Sequence, residues 1–176
     1  GSSDAGQVAF DACILAPSLS RIISKLEKEK FISRYVDQKD GRRVNLVLTP
    51  KGEETLKDTA KVLSEYVDIV MLRTSSHENL ISFGKHLSIP IINGLSDKSH
   101  PCQIMSDIFT FEESNGDISG KTISWIGDGN NNMSNSLIES AAKLNIVLKI
   151  GCPKKYSPNK NIVSWAKKNK VNLKIT

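Results

Sequence analysis

Thr122 to Ile146 reads TISWIGDGNNNMSNSLIESAAKLNI, and this stretch decides the fold. Thr122–Ile126 is an apolar run of strand length. The polar loop Gly127-Asp128-Gly129-Asn130-Asn131-Asn132 follows, then apolar residues at helical spacing over 132–144, then a new apolar run from Ile146. Strand, loop, helix, strand is the repeating unit of a parallel sheet covered by helices. Outward from it the same alternation recurs. Val67–Leu72, Ile89–Ile92, Ile146–Ile150 and Val171–Ile175 read as buried strands, and helices fit at about 77–87, 101–115 and 158–169. The predicted class is α/β, with a mainly parallel, Rossmann-like sheet. Ligands in such sheets bind beyond the carboxyl ends of strands. Polar clusters stand at those ends: Arg73-Thr74, Asn93 to Gln103, and Asp128 to Asn132.

Each cluster has a chemical meaning. His100-Pro101-Cys102-Gln103 opens a helix, so a ring nitrogen, an amide and backbone N–H groups converge, which suits an anion or a polarised carbonyl oxygen. Arg73 can donate a fork of hydrogen bonds to phosphate or carbonyl. The 127–132 loop has the look of a nucleotide-binding turn, but Asn132 stands where G-x-G-x-x-G requires glycine, so the dinucleotide signal is weak. The plainer alternative is that the histidine and the loop amides only cap helices and turns.

The first fifty residues have a different grammar. Pro17 to Lys30 places Leu19, Ile22, Ile23 and Leu26 on one helical stripe, with Ser18, Ser20, Arg21, Ser24 and Lys25 opposite. A short helix at about Gln7 to Ala12 and the turn 13–16 complete a helix-turn-helix outline. Ile32, Arg34 and Val36 begin a strand, Asp40-Gly41 signals a hairpin, and Val44, Leu46 and Leu48 return. Thr49-Pro50 is an N-cap followed by a first-turn proline.

Composition narrows the class. Hydrophobic content of 39% and charged content of 24% are ordinary for a soluble globular chain. No apolar run reaches the roughly 18 residues of a membrane span, and the expected location is cytoplasmic. Gly1-Ser2-Ser3 looks like an expression scar. Cys13, Cys102 and Cys152 lack metal-ligand spacing and read as free thiols in a reducing compartment, so no metal site is expected on them. Of the formal net charge of +5, residues 17–51 alone supply nine Lys/Arg against four Asp/Glu. A second basic cluster (Lys154, Lys155, Lys160, Lys167, Lys168, Lys170, Lys174) reads as a solvated face.

The stretch PSLSRIISKLEKEKFISRYVDQKDGRRVNLVLTPKGE resembles the MarR family of winged-helix regulators, through Leu26, Glu27, Arg34, Asp40, Arg42, Leu48, Thr49 and Gly52. That resemblance implies a helix from Pro17 in the major groove of DNA, with Ser18, Ser20, Arg21 and Lys25 facing it. It also implies Arg42 at a wing tip, oriented by Asp40. Without paired dimer helices the expected DNA binding is weak and falls steeply with salt.

From Glu53 onward, GEETLKDTAKVLSEYVDIVMLRT, IPIINGLSDKSHPCQIMSDIFTFEE and ISWIGDGNNNMSNSLIESAAKLNI resemble ornithine carbamoyltransferase. The resemblance implies that Arg73, His100 and Gln103 hold carbamoyl phosphate and that Asn131, flanked by Asp128 and Asn130, contacts the amino acid substrate, ornithine. The expected organisation is a partial winged helix over 1–52 and partial transferase domains over 53–116 and 117–176, joined within Lys51-Gly52-Glu53-Glu54-Thr55. The family's Ser-x-Arg-Thr phosphate loop and its later ornithine loops do not occur in the sequence, so the chain alone is expected to be catalytically incompetent. The expected assembly is a homo-oligomer. The alternatives are a MarR-type regulator with a metabolite-sensing α/β part, and a recombinant product without function. Strands 67–175 are left to pair as one five-stranded sheet, to oligomerise, or to stay partly molten.

Overall fold

The computed structural model describes residues 3–4, 16–36 and 44–176. The chain falls into two units, Gly1–Ile92 and Asn93–Thr176.

In the first unit, β1 (Ser3–Asp4) is followed by α1 (Ala16–Lys28), β2 (Ile32–Val36) and β3 (Val44–Leu48). The three strands form an antiparallel sheet in the order β1-β3-β2, with Ile32 opposite Leu48 and Val36 opposite Val44. α1 was expected to run to Lys30 but stops at Lys28. Lys30 adopts φ 63, its N–H donates to the Glu27 carbonyl, and the Phe31 N–H donates to the Leu26 carbonyl. This pair of bonds is a Schellman closure built on lysine rather than glycine, which hid it from the sequence. Ile23 of the predicted stripe is buried, whereas Ile22 is 43% exposed. Arg34 joins β2 to α1 by pairing with Glu27 at 2.7 Å and donating to Ser24 Oγ at 3.1 Å.

α2 (Pro50–Tyr66) begins as expected: the Thr49 hydroxyl accepts from the Gly52 N–H at 3.1 Å, and Pro50 occupies the first turn. The helix runs unbroken through Lys51–Thr55, the run proposed as a joint. The boundary between the two compact units lies at Ile92/Asn93. β4 (Val70–Arg73), α3 (His77–Gly84) and β5 (Ile91–Leu95) follow, β4 and β5 forming a two-stranded sheet. β4 starts three residues later than predicted because the Val67 N–H is spent on the Leu63 carbonyl at the end of α2.

The second unit continues with α4 (Pro101–Asn115), β6 (Thr122–Ile126), α5 (Asn132–Leu144), β7 (Val147–Gly151), a 3₁₀ turn (Lys154–Tyr156), α6 (Lys160–Lys168) and β8 (Leu173–Ile175). β6, β7 and β8 are parallel and adjacent in that order. A single five-stranded sheet is therefore not what the chain builds. β7 and β8 open one and two residues later than expected, since Ile146 and Val171 close helix ends. Ile146 N–H donates to Ala141 and Val171 N–H to Ala166, behind Asn145 and Lys170 in the left-handed region.

Alternation along these strands splits the sheet into two faces. Leu148 and Ile150 of β7, each 0% exposed, gather with Ile138, Ala141, Ile104, Ile108 and Ala166 from the helices, while Ile123, Trp125 and Leu173 pack against them. The other face carries Ser124, Lys149 and Lys174, all exposed, which stand side by side in register across the three strands.

Candidate functional site

The residues proposed for small-molecule chemistry, Arg73 apart, lie at the ends of β5 and β6. β5 hands over to the loop 96–100, and β6 to the loop 127–131. The first loop is closed on itself: Asn93 Nδ2 donates to Ser99 Oγ at 3.0 Å and to the Ser99 carbonyl at 3.2 Å. The Ser96 N–H donates to the Ser99 carbonyl at 2.9 Å. Ser96 and Ser99 are both buried. Polar side chains of α5 then grip the loop. Asn132 Nδ2 donates to the Ser96 carbonyl at 2.9 Å, Asn135 Nδ2 to the Lys98 carbonyl at 3.0 Å, and Ser136 Oγ accepts from the His100 N–H at 2.8 Å. The start of α4 is thus fixed against the start of α5 by three hydrogen bonds, each worth about 1 kcal/mol net but costing more if one buried partner is orphaned.

His100 is the N-cap of α4, with no side-chain cap bond, and Pro101 occupies the first turn. The imidazole is thereby left to its own contacts rather than consumed in capping. Gln103 is exposed on the first turn, and its Nε2 donates to Asp107 Oδ1 at 2.8 Å. A ligand reaching that amide must compete with a single exposed i,i+4 bond, a small cost.

The second loop depends on two glycines. Gly127 takes φ 129, open to glycine and strained for other residues. Gly129 is pressed so close to the following segment that a Cβ would lie 2.9 Å from the Tyr156 carbonyl oxygen. Asp128 is exposed and turns the loop, its Oδ1 accepting from the Asn130 N–H at 2.8 Å and its carbonyl from Trp125 Nε1 at 2.9 Å. Asn131 is the N-cap of α5 in a capping box: Oδ1 accepts from the Ser134 N–H at 2.9 Å, and Nδ2 donates to the Asp128 carbonyl at 2.8 Å. The plainer capping role is therefore real for Asn131. A carboxamide has two donors and two lone pairs, so one of each remains for a ligand. Asn130 is exposed, and both asparagines border a cleft of about 500 Å³.

Arg73 is the last residue of β4 in the first unit and is exposed. It stands at the carboxyl end of a strand, inside the strand rather than after it. On α1, Ser20, Arg21 and Lys25 are exposed, and Ser18 lies in the helix. Asp40, Arg42 and the helix expected at 7–12 lie outside the described residues. Sequence reasoning missed the clamp of Asn132, Asn135 and Ser136 on the 96–100 loop, because nothing in the spacing pairs residues 36 or 37 positions apart. No group of three or more metal-ligating side chains occurs among the described residues, and no described helix is long and apolar enough to cross a membrane.

Comparison with known proteins agrees with this geometry. The model of the aspartate/ornithine carbamoyltransferase carbamoyl-P binding domain matches residues 33–113, and that of the Asp/Orn binding domain matches 119–176. The ornithine carbamoyltransferase of Brucella abortus (strain 2308) is 46% identical over 156 residues, covering 86% of this chain and 50% of that protein. That of Rhizobium meliloti (strain 1021) is 49% identical over 116 residues, covering 66% and 38%. Among solved structures, ornithine carbamoyltransferase from Burkholderia thailandensis E264 superposes with a TM-score of 0.63 at 36% identity, over 69% of this chain and 41% of that one. The Thermus thermophilus enzyme gives 0.60 at 33% identity, over 69% and 40%. The chain belongs to the aspartate/ornithine carbamoyltransferase family. It spans about half the length of the curated relatives it matches.

The MarR resemblance fares differently. The carbamoyltransferase match begins at Ser33, within the segment assigned to the winged helix, and the comparisons lend no support to a regulator, a DNA-binding role or a chimera.

Proposed function

We propose that these 176 residues carry the parts of an ornithine carbamoyltransferase that recognise carbamoyl phosphate and begin to recognise ornithine. In that reaction the side-chain amine of ornithine attacks the carbamoyl carbon, a tetrahedral intermediate forms, and phosphate leaves with the C–O bonding pair. His100 and Gln103 polarise the carbamoyl group or hold its phosphate, Arg73 adds a guanidinium, and Asn131, with Asp128 and Asn130, meets the amino acid. The observation that carries this is His100 as the N-cap and Gln103 on the first turn of α4, with the His100 N–H pinned to Ser136 of α5. Helix starts offer N–H groups without intrahelical acceptors, and the helix dipole favours an anion there. Positioning and charge stabilisation are the catalytic means.

No Ser-x-Arg-Thr stretch occurs in these 176 residues. Removing one oxyanion donor already costs about 10² to 10³ in rate, so the chain by itself is proposed to bind without forming citrulline. The test is a thermal shift with fresh carbamoyl phosphate against inorganic phosphate. Saturation at 100 times the dissociation constant adds about 2.7 kcal/mol of apparent stability. The shift should vanish in His100→Ala and shrink in Arg73→Ala. No shift with the unaltered chain overturns the binding site, and citrulline above a buffer blank overturns the incompetence.

A further inference from the structure

A groove in the first unit collects positive charge. It lies between the end of α1, the start of β2 and the start of α2, and encloses about 540 Å³. Lys30, Arg34 and Lys51 line it, together with the carboxylate of Glu27. Glu27 is matched to Arg34 at 2.7 Å, so the charge left facing a ligand is that of two ammonium groups, Lys30 and Lys51. Two of the three cations are anchored. Lys51 Nζ donates to the Glu29 carbonyl at 2.9 Å and stands 4.4 Å from the centre of the Phe31 ring, which uses one of its three donors. Arg34 is held to Glu27 and to Ser24 Oγ through one nitrogen, Nη2, out of a guanidinium with five N–H donors. The walls are fixed as well. The Thr49 hydroxyl donates to the Lys30 carbonyl and the Thr49 N–H to the Phe31 carbonyl, which ties the start of α2 to the turn after α1. Ile32 and Pro50 add apolar surface beside the charges, and Ser33 adds a hydroxyl.

We propose that this groove binds a small phosphate monoester. Such a group carries a charge of about −1.5 to −2 near pH 7 and presents three strong acceptor oxygens. That charge and that acceptor count match two ammonium groups beside a guanidinium edge. Lys30 and Lys51 take the phosphate oxygens, Arg34 and the Ser33 hydroxyl complete the set, and the carbon portion of the ester rests on Ile32 and Pro50. A monocarboxylate brings a single charge and leaves one lysine unmatched. Because Lys51, Arg34 and the walls are bonded into place beforehand, little ordering is lost on binding. The groove shares no residue with the site around His100, and the proposal does not rest on the function given above.

The test follows the backbone N–H resonances of Ser33 and Lys51 in the isotope-labelled 176-residue chain, at constant ionic strength. The probes are glycerol 2-phosphate, acetate and a short DNA duplex. Glycerol 2-phosphate should move both resonances along one saturating curve, and acetate should bind about tenfold more weakly, the size of one lost charge-assisted hydrogen bond. Two variants remove charge without disturbing the backbone. Lys30→Gly suits the left-handed φ of 63 at that position, and Lys51→Met keeps an apolar stem against Phe31. Each should weaken glycerol 2-phosphate by about tenfold. Lys61→Met, exposed further along α2, should leave it unchanged. Acetate as tight as the ester, shifts that never saturate, or unchanged affinity in both groove variants overturns the proposal. Tighter saturation by the duplex than by the ester overturns it as well, since the groove would then serve a nucleic-acid backbone. The ligand comparison on the unaltered chain decides even if a variant fails to fold. Any phosphate entering this groove contributes alike to both arms of the carbamoyl phosphate comparison above, and the Gln103 N–H reports on that other site, so either reading can fail alone.

Discussion

Leu148→Ala is expected to cost the second unit about 2–5 kcal/mol, the range for emptying a buried leucine site that cannot fully collapse. Leu148 is 0% exposed on the central strand β7, with Ile123 and Leu173 beside it in register. α5 lays Ile138, also 0% exposed, into the same core. Domains hold only about 5–15 kcal/mol in total, so such a loss displaces the urea midpoint strongly. Lys149→Ala, one residue on but on the opposite sheet face, should stay within about 0.5 kcal/mol. Urea unfolding followed by circular dichroism checks both. Equal effects of the two substitutions would mean that the sheet does not present Leu148 to the helices.

Gly52→Ala is the second large effect, and local propensity points the wrong way for it. Alanine in a helix is favoured over glycine by about 1 kcal/mol. Yet a Cβ on Gly52 would sit 2.0 Å from the Phe31 carbonyl oxygen, well inside van der Waals contact. That carbonyl cannot simply step aside, for it accepts from the Thr49 N–H at 3.0 Å. α2 must retreat from the turn after α1, breaking the Thr49 bonds. The clash outweighs the propensity gain, and the net loss should reach about 3 kcal/mol. Glu54→Ala, exposed two residues on, is the control. A thermal midpoint for Gly52→Ala at or above that of the parent chain would show that α2 is not seated on Phe31.

Much of the second unit was legible because its signals are local. The pattern over 122–146 sets strand, loop and helix to within a residue, and α4 and α5 have the predicted limits. Two of the boundaries that moved, the end of α1 and the start of β8, did so for one reason. Lysine at 30 and 170 supplies left-handed helix closures that sequence rules assign to glycine, and the apolar residues after such closures are spent on capping. The site was legible as residue types but not as commitments: nothing local says that Asn131 caps α5 or that Gln103 already holds Asp107. In the first unit, Thr49-Pro50 was correctly read as a helix start, and the run 51–55 lies within α2.

The adjacent lysines of β7 and β8 give the second unit an inverted response to ionic strength. Lys149 and Lys174 are neighbours in register on an open face, where like charges oppose the pairing of their strands. Dissolved counterions shield that repulsion, the Debye length shrinking to about 3 Å at 1 M. Added sodium chloride should therefore knit this edge of the sheet more tightly, where an exposed ion pair would have been loosened.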